Sequence, residues 1–305
     1  MKNWKWTWIA LAVVLYLSND VSMRMVAVNV NFIAGSIVQA LPLVLISLLG
    51  MTREKGGGAY WKSRSILYRI LLYGTVQVLM GNVLYFLAMR FGGLSIASPT
   101  VQSQAIWAVV LGAVLLREHI SPKGWAGVVC FAAGIAMITY FKSQGVVTSG
   151  WQWGVLFGIL AGLSWASGSV IQKTLFKQQV SQNTIFFYGT LFGIVLLTVL
   201  GLSTDPMGFL GSLATPDTYK MLLPGLFSSI ATWCFARALR QIPVSTIIPI
   251  LSVNIIFNTI IGALGWKEYV NTGTIAGLLI AFMGILLSQN IRLGRNIKSH
   301  KEEAI

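Results

Sequence analysis

Long apolar segments alternate with short polar ones along the whole chain. Ten of these segments come close to or exceed the roughly 20 mostly apolar residues that a helix needs to cross a bilayer core. They are continuous and lack the strict alternation of barrel strands, so the pattern predicts membrane-spanning helices. The predicted spans are 6–23, 31–51, 66–89, 95–116, 121–141, 151–171, 184–202, 220–239, 244–264 and 271–290. We therefore predict an all-α integral membrane protein.

Composition supports this class and excludes others. Of the 305 residues, 55% are hydrophobic and only 10% are charged, whereas a soluble domain carries roughly 25% charged residues. A soluble enzyme and a disordered chain are both excluded. The formal net charge is +14, but the basic residues lie in short polar gaps between spans. That placement is typical of membrane topology rather than of a nucleic-acid-binding surface.

Lysine and arginine also predict the orientation. If the N-terminus is cytoplasmic, 17 of the 22 basic residues lie on that side and five on the other. The positive-inside rule therefore predicts that both termini are cytoplasmic. Cys130 and Cys234 both lie in apolar spans, so no disulfide framework, metal site or cofactor is predicted.

The two halves of the chain match at a constant offset of 150 residues. Pro99 corresponds to Pro249, Glu118 to Glu268, and Gly134 to Gly284. This duplication predicts two repeats, residues 1–145 and 146–305, with five spans each. Because five is odd, the second repeat enters the membrane from the opposite side. Inverted repeats of this kind are typical of secondary transporters, whose substrate site lies near the midplane.

The matching segments also resemble a known family. They are AMRFGGLSIASPTVQSQAIWAVVLGAVLLRE from Ala88 to Glu118 and ALRQIPVSTIIPILSVNIIFNTIIGALGWKE from Ala238 to Glu268. This pair resembles the signature of the EamA-type branch of the drug/metabolite transporter superfamily. The resemblance implies an inner-membrane carrier of small metabolites, often an exporter. It also implies a central cavity lined mainly by spans 1, 3, 4, 6, 8 and 9. The family transports amino acids, organic cations and other metabolites, so the resemblance specifies no single ligand.

Asp20 is the one acidic residue within a predicted span. Ionisable residues in a membrane are costly, which makes Asp20 a candidate for binding a cationic substrate group or a coupling proton. An alternative is an ion pair with Arg24, which lies four residues later on the same helical face. Arg90 is a second possible partner.

Uncharged polar residues within the spans extend the candidate site. Facing lipid would be unfavourable for them, so they either line a cavity or bond between helices. Internal tryptophans add surfaces for stacking or cation–π contact. The predicted substrate-binding residues are Asp20, Asn19, Gln77, Asn82, Gln102, Ser103, Trp107, Trp165, Trp233, Asn254 and Asn258. Pro99 and Pro249 are predicted hinges, with simple helix shaping as the alternative.

Two hypotheses about transport remain open from the sequence. One is a secondary exporter of amino acids or amphipathic organic compounds by alternating access, coupled to protons or passive, and acting as a monomer or a homodimer. The other is uptake of a cationic or quaternary ammonium metabolite. An intramembrane enzyme is disfavoured because there is one membrane aspartate, and His119 and His300 lie outside the spans. A non-transporting membrane protein is the remaining alternative.

Overall fold

The computed structural model describes residues 4–53, 63–116, 121–143, 150–242, 247 and 250–288. Every regular element within these ranges is a helix. Seven helices are long and apolar enough to cross a membrane, and three shorter apolar helices, Pro122–Ile138, Asn254–Trp266 and Thr272–Leu287, accompany them. For this part of the chain the prediction of an all-helical membrane protein is confirmed.

The helices of the first half lie at the predicted spans, with irregular stretches at 74–80, at Gly93 and at 102–103. A π-helical segment, Gly74–Met80, joins α3 to α4, and its backbone hydrogen bonds span five residues instead of the four of an α-helix. The helices are α1 Trp4–Val26, α2 Phe32–Thr52, α3 Arg64–Tyr73, α4 Gly81–Val101, α5 Gln104–Leu116 and α6 Pro122–Ser143.

The second half contains two short helices that the sequence pattern does not predict. They lie in the polar gap 203–219, where Pro206 starts the first helix and the Asp205 side chain accepts a hydrogen bond from the Gly208 amide at 3.0 Å. A proline after a capping acid favours a helix start. The helices are α7 Trp151–Lys177, α8 Gln182–Thr204, α9 Pro206–Leu213, α10 Pro216–Tyr219, α11 Leu222–Leu239, α12 Asn254–Trp266 and α13 Thr272–Ser288.

Gly93 divides α4 into two parts. Its φ of 65° and ψ of −177° are not helical and are open mainly to glycine. The amide of the next residue, Leu94, starts the second part and donates a hydrogen bond to Glu268 Oε1 at 3.0 Å. The same oxygen accepts a bond from Arg24 Nε at 3.2 Å. Glu268 therefore links the end of α1, the middle of α4 and the segment after α12.

Positions separated by 150 residues also meet in space. Turns at 102–103 and 252–253 precede α5 and α12, and the Ser252 hydroxyl donates to Gln102 Oε1 at 3.0 Å. In the same way, Cys130 Sγ donates to the Ile280 carbonyl at 3.4 Å. Both pairs differ by 150 in residue number, so each contact joins equivalent positions of the two halves.

Helices α6 and α13 approach each other closely through glycine. A Cβ added to Gly134 would lie 2.4 Å from the Ala281 amide, and one added to Gly284 would lie 2.3 Å from the Phe131 amide. The two contacts are equivalent, because adding 150 to Gly134 gives Gly284 and adding 150 to Phe131 gives Ala281. Small residues permit such close helix packing in a membrane, where no hydrophobic effect draws helices together.

The remaining helices pack in pairs around the centre of the bundle. The most extensive of these pairings are α1 with α11, α2 with α8 and α4 with α7. Buried apolar clusters lie on either side of the centre, one around Ile9, Phe235 and Leu251, another around Met23, Phe86 and Leu94. Between them the helices leave a polar cavity.

We expect Gly93→Ala to lower the free energy of unfolding in detergent by about 1–3 kcal/mol, the usual cost of a strained backbone conformation. The physical reason is twofold: φ is positive, and a Cβ would lie 2.7 Å from Glu268 Oε1. Thermal or denaturant unfolding followed by circular dichroism measures the change. Gly265→Ala is the matched control because a Cβ there meets no atom within 4 Å. Equal effects of the two substitutions would contradict the expectation.

Candidate functional site

The central cavity has a volume of about 130 Å³. Its lining comes from both halves of the chain and is dominated by amides, hydroxyls and aromatic rings. The polar and aromatic lining side chains described are Tyr16, Asn19, Asp20, Gln39, Tyr73, Gln77, Asn82, Tyr85, Ser98, Gln102, Gln104, Trp165, Ser169, Gln172, Thr190, Ser228, Ser229, Thr232, Phe235 and Asn254. The family resemblance implies a lining from spans 1, 3, 4, 6, 8 and 9. Gln39 of α2 and Thr190 of α8 show that the second and seventh spans also contribute.

Asp20 accepts three side-chain hydrogen bonds within this cavity. The Tyr85 hydroxyl donates to Oδ1 at 2.6 Å, Asn19 Nδ2 to Oδ1 at 3.0 Å, and Asn258 Nδ2 to Oδ2 at 2.7 Å. Asn258 Nδ2 also lies 2.9 Å from Ser98 Oγ, to which it donates. These bonds attach α1 to α4 and α12. Uncharged donors thus hold the carboxylate, and no salt bridge to it exists among the described residues.

The structure contradicts the ion pair between Asp20 and Arg24. Arg24 instead forms a salt bridge with Glu268 and lies 5.9 Å from the ring centre of Trp266. The reason is tertiary, because α12 and the segment after it bring a second carboxylate to the end of α1. Arg90 is exposed and forms no salt bridge to Asp20.

Most of the predicted site residues gather at this cavity. Seven line it: Asn19, Asp20, Gln77, Asn82, Gln102, Trp165 and Asn254. Asn258 is buried and reaches the site through its bond to Asp20.

Three predicted residues do not line the cavity. The Ser103 hydroxyl donates to the Ile159 carbonyl at 3.4 Å. Trp233 lies beneath Arg237, with the guanidinium carbon 4.1 Å from the ring centre, and Trp8 approaches it edge-on at 5.7 Å. Trp107 packs against the apolar cluster that includes Ile9 and Leu251. The proposed hinge Pro99 lies inside α4, whereas Pro249 lies outside the described residues.

Sequence reasoning missed several lining residues, and only some of them carried a signal. Gln39 and Gln172 are amides within apolar helices, the same signal that identified Gln77. No sequence signal marked Tyr16 and Tyr85 as cavity residues, because a tyrosine in an apolar segment is as typical of a membrane interface as of a cavity. The Tyr16 hydroxyl lies within hydrogen-bonding distance of Thr232 Oγ1, at 3.1 Å.

Several polar atoms of the cavity wall are buried without a hydrogen-bond partner. They are Gln77 Oε1, Trp165 Nε1, Gln172 Nε2, Thr190 Oγ1 and Asn254 Oδ1. Buried polar atoms in native proteins nearly always have a partner. Five of the unpartnered atoms therefore belong to residues of this one cavity, where the helix packing leaves hydrogen-bonding capacity unused.

The cavity suits an organic ligand better than a metal ion. No group of three or more histidine, cysteine or acidic side chains occurs in the part of the chain that the structure describes. Asp20 is the one carboxylate in the described lining. The cavity side chains can bind polar and cationic groups reversibly through hydrogen bonds, one negative charge and aromatic faces.

Known proteins resemble this chain over most of its length. A transporter of Archaeoglobus fulgidus, named as uncharacterized, is 21% identical over 222 residues, 72% of this chain and 74% of the relative. The inner membrane transporter YhbE of Escherichia coli (strain K12), also named as uncharacterized, is 24% identical over 210 residues, which are 66% of this chain and 63% of that protein.

A solved crystal structure shares the fold. It matches with a TM-score of 0.65 at 12% identity, covering 96% of this chain and 98% of the other. The model of the EamA-like transporter family matches twice, at residues 3–140 and 152–289. The chain belongs to the EamA-like transporter family.

Proposed function

We propose that this protein is a secondary transporter that carries small organic metabolites across the inner membrane by alternating access through the central cavity. Amino acids and amphipathic organic compounds are the proposed substrates, and export is the proposed direction, following the family resemblance. The observation that carries the proposal is the polar cavity itself, with one partly buried carboxylate and several unpartnered polar atoms among its lining residues.

We further propose that residues 1–145 and 146–305 are inverted repeats related by a two-fold axis in the membrane plane. The contacts between Gln102 and Ser252, and between Cys130 and Ile280, support this arrangement. Equivalent residues touch each other only where they lie close to the axis that relates them. The axis then passes through the cavity beside Gln102, where inverted-repeat transporters bind their substrates.

The helix breaks supply a mechanism for rearrangement. Regular hydrogen bonding stops at 102–103 and again at 252–253, and Pro99 precedes the first break by one turn. Pieces of helix joined by such breaks can tilt separately, as in other transporters with discontinuous helices. We propose that α5 and α12 move against the rest of the bundle, with Pro99 and Pro249 acting as hinges.

Asp20 is the proposed binding group for a substrate cation or a coupling proton. Its oxygens are occupied by the neutral donors Tyr85, Asn19 and Asn258, which stabilise the charge without neutralising it. A cation or a proton would neutralise it directly. Since the site exposes this one carboxylate, both ligands compete for the same position.

Uptake of a cationic or quaternary ammonium metabolite is the second candidate function. The Tyr85 and Trp165 rings favour it, because their centres lie 5.0 Å apart next to Asp20. Aromatic faces beside a carboxylate are typical of organic cation sites. The two candidates differ in direction, and both use the same cavity.

We expect Asp20→Asn to reduce transport in proteoliposomes at least about tenfold, because an amide can neither balance a cation nor carry a proton. Radiolabelled flux of amino acids, polyamines and quaternary ammonium compounds provides the measurement. Asp217→Asn serves as the control, since Asp217 pairs with Lys220 at an exposed position, where an ion pair contributes little. Full activity of Asp20→Asn with every transported compound would refute the role of the carboxylate.

Coupling to protons should not exceed about one proton per substrate, because Asp20 is the one acidic side chain described in the cavity. Simultaneous recording of substrate flux and internal pH with a trapped dye gives the ratio. A ratio of two would require a second titrating group and would contradict the proposed site.

The proposed topology predicts opposite sides for two exposed positions. In a variant with Cys130 and Cys234 replaced by alanine, Met207→Cys should react with a membrane-impermeant maleimide in intact cells, because α9 lies on the proposed outer side. Gln178→Cys, after α7, should react only in permeabilised cells. Both side chains are exposed, so access to the reagent decides the result. The reverse labelling pattern would place the termini outside.

A further inference from the structure

A second cleft opens at the end of the bundle where α7 ends and α8 begins. It has a volume of about 440 Å³. None of its described lining residues belongs to the lining of the central cavity, so the cleft is a separate feature of the molecule. We call it the basic cleft, and its described lining consists of Lys173, Phe176, Lys177, Gln179, Val180, Ser181 and Arg240.

The basic cleft has a positively charged lining. Among its described residues Lys173, Lys177 and Arg240 are basic, and none is acidic. Lys177 and Arg240 are exposed, so a ligand that enters the cleft can reach both side chains. Like charges that are held close together repel each other, and an anion between them replaces that repulsion by attraction. The cleft therefore favours an anionic ligand.

Two of the three cations are held in position by other groups. The guanidinium carbon of Arg240 lies 4.8 Å from the ring centre of Phe176, and that ring packs against two buried apolar clusters. Lys173 Nζ donates to the carbonyls of Leu239 and Ile242, which joins α7 to the end of α11. A stacked, planar guanidinium presents its N–H groups in a fixed plane, which suits two oxygens of one anion.

Gln179 occupies a backbone position that usually belongs to glycine. The Val180 amide donates to the Leu175 carbonyl at 3.1 Å, which is typical of a Schellman motif at a helix end. The φ of Gln179 is 61°, a left-handed conformation that glycine adopts most readily. This chain instead places an exposed carboxamide there, on the lining of the basic cleft. Its NH₂ group adds an uncharged donor to the cations.

The basic cleft lies at the depth of the lipid headgroups. Lys177 ends α7 and Gln182 begins α8, and both helices are long and apolar enough to cross a membrane. The ends of such helices lie in the interfacial layer, which contains the phosphate groups of the lipids. The distribution of lysine and arginine predicts that this end faces the cytoplasm, where the membrane surface carries anionic lipids.

We infer that the basic cleft binds a phosphate group through Lys177, Arg240 and Gln179, with Lys173 completing its positive lining. The phosphate belongs to the headgroup of an anionic lipid or to a soluble phosphate ester, because both present the same charged oxygens to the cleft. Several oxygens and a negative charge match two cations, a planar guanidinium and an amide donor. The site is distinct from the central cavity and does not depend on the proposed function.

Native mass spectrometry of the purified protein in a non-ionic detergent tests the inference. Phosphatidylglycerol and phosphatidylcholine with identical acyl chains are titrated separately. One phosphatidylglycerol should bind with an affinity at least about tenfold higher than phosphatidylcholine, because the choline group of the second lipid adds a cation that the basic lining repels.

Substitutions in the cleft and outside it assign the effect to named side chains. Lys177→Gln and Arg240→Gln should each lower the affinity ratio of the two lipids about fivefold, since each removes one cation. Lys123→Gln is the matched control, because Lys123 is exposed at the start of α6 outside the described lining of the cleft. It should leave the ratio unchanged.

Gln179→Gly tests the uncharged donor. It should lower the affinity for phosphatidylglycerol about threefold, the effect of losing one hydrogen bond. Glycine is favoured at the left-handed backbone position, so the substitution does not disturb the end of α7, and a loss of affinity reports the missing side chain.

A soluble competitor identifies the source of the phosphate. Glycerol 3-phosphate in excess is added to the protein with bound phosphatidylglycerol. Displacement of the lipid, with a glycerol 3-phosphate adduct that Arg240→Gln lacks, assigns the site to soluble phosphate esters. Retention of the lipid assigns the site to the headgroup. Both results support a phosphate site.

Three results overturn the inference. The first is equal affinity for the two lipids without a glycerol 3-phosphate adduct. The second is an unchanged lipid ratio in both Lys177→Gln and Arg240→Gln. The third is an equal loss in Lys123→Gln and Lys177→Gln, because the basic surface as a whole then attracts the lipid. These binding results leave the proposed function untouched, since the flux experiments measure transport separately.

Discussion

One carboxylate surrounded by uncharged donors is the constraint on which the centre of this molecule depends. Asp20 lies in a membrane helix, where a charged group is tolerated only if protein groups replace water. Tyr85 of α4 and Asn258 of α12 provide that replacement from two other helices. Because these hydrogen bonds bring three helices together at the two oxygens, they also fix the cavity wall beside them. The Asp20 carboxylate is unfavourable in a membrane, and the hydrogen bonds that stabilise it also set the arrangement of α1, α4 and α12.

Close helix packing supplies the second requirement, because membrane helices gain little from burying apolar surface against one another. Gly134 and Gly284 bring α6 and α13 into backbone contact. None of its residues is among the described lining, and the pair packs against Ile255 of α12 and Ile106 of α5 from outside the cavity. In the proposed mechanism it serves as a fixed support, while the broken helices α5 and α12 rearrange.

Different interactions join the helices near the two ends of α1. At the end of α1, Arg24 and the Leu94 amide share Glu268 Oε1. Near its beginning, Arg237 lies over Trp233, and Lys173 Nζ donates to the backbone carbonyls of Leu239 and Ile242. The proposed transport cycle requires that contacts of this kind break and re-form alternately.

The sequence by itself determined the class of the protein, the helical segments, the 150-residue correspondence and the presence of a single acidic residue, Asp20, within a predicted span. Each of these depends on a property that is local or periodic: apolar length, matching positions, or a single acid in a hydrocarbon segment. The partners of Asp20 depended on tertiary structure, since Tyr85 and Asn258 lie 65 and 238 residues away from it. So did the pairing of Arg24 with Glu268 and the positions of Trp107 and Trp233 outside the cavity. A helix face can be read from spacing, but which neighbour covers that face is decided only when all helices have packed.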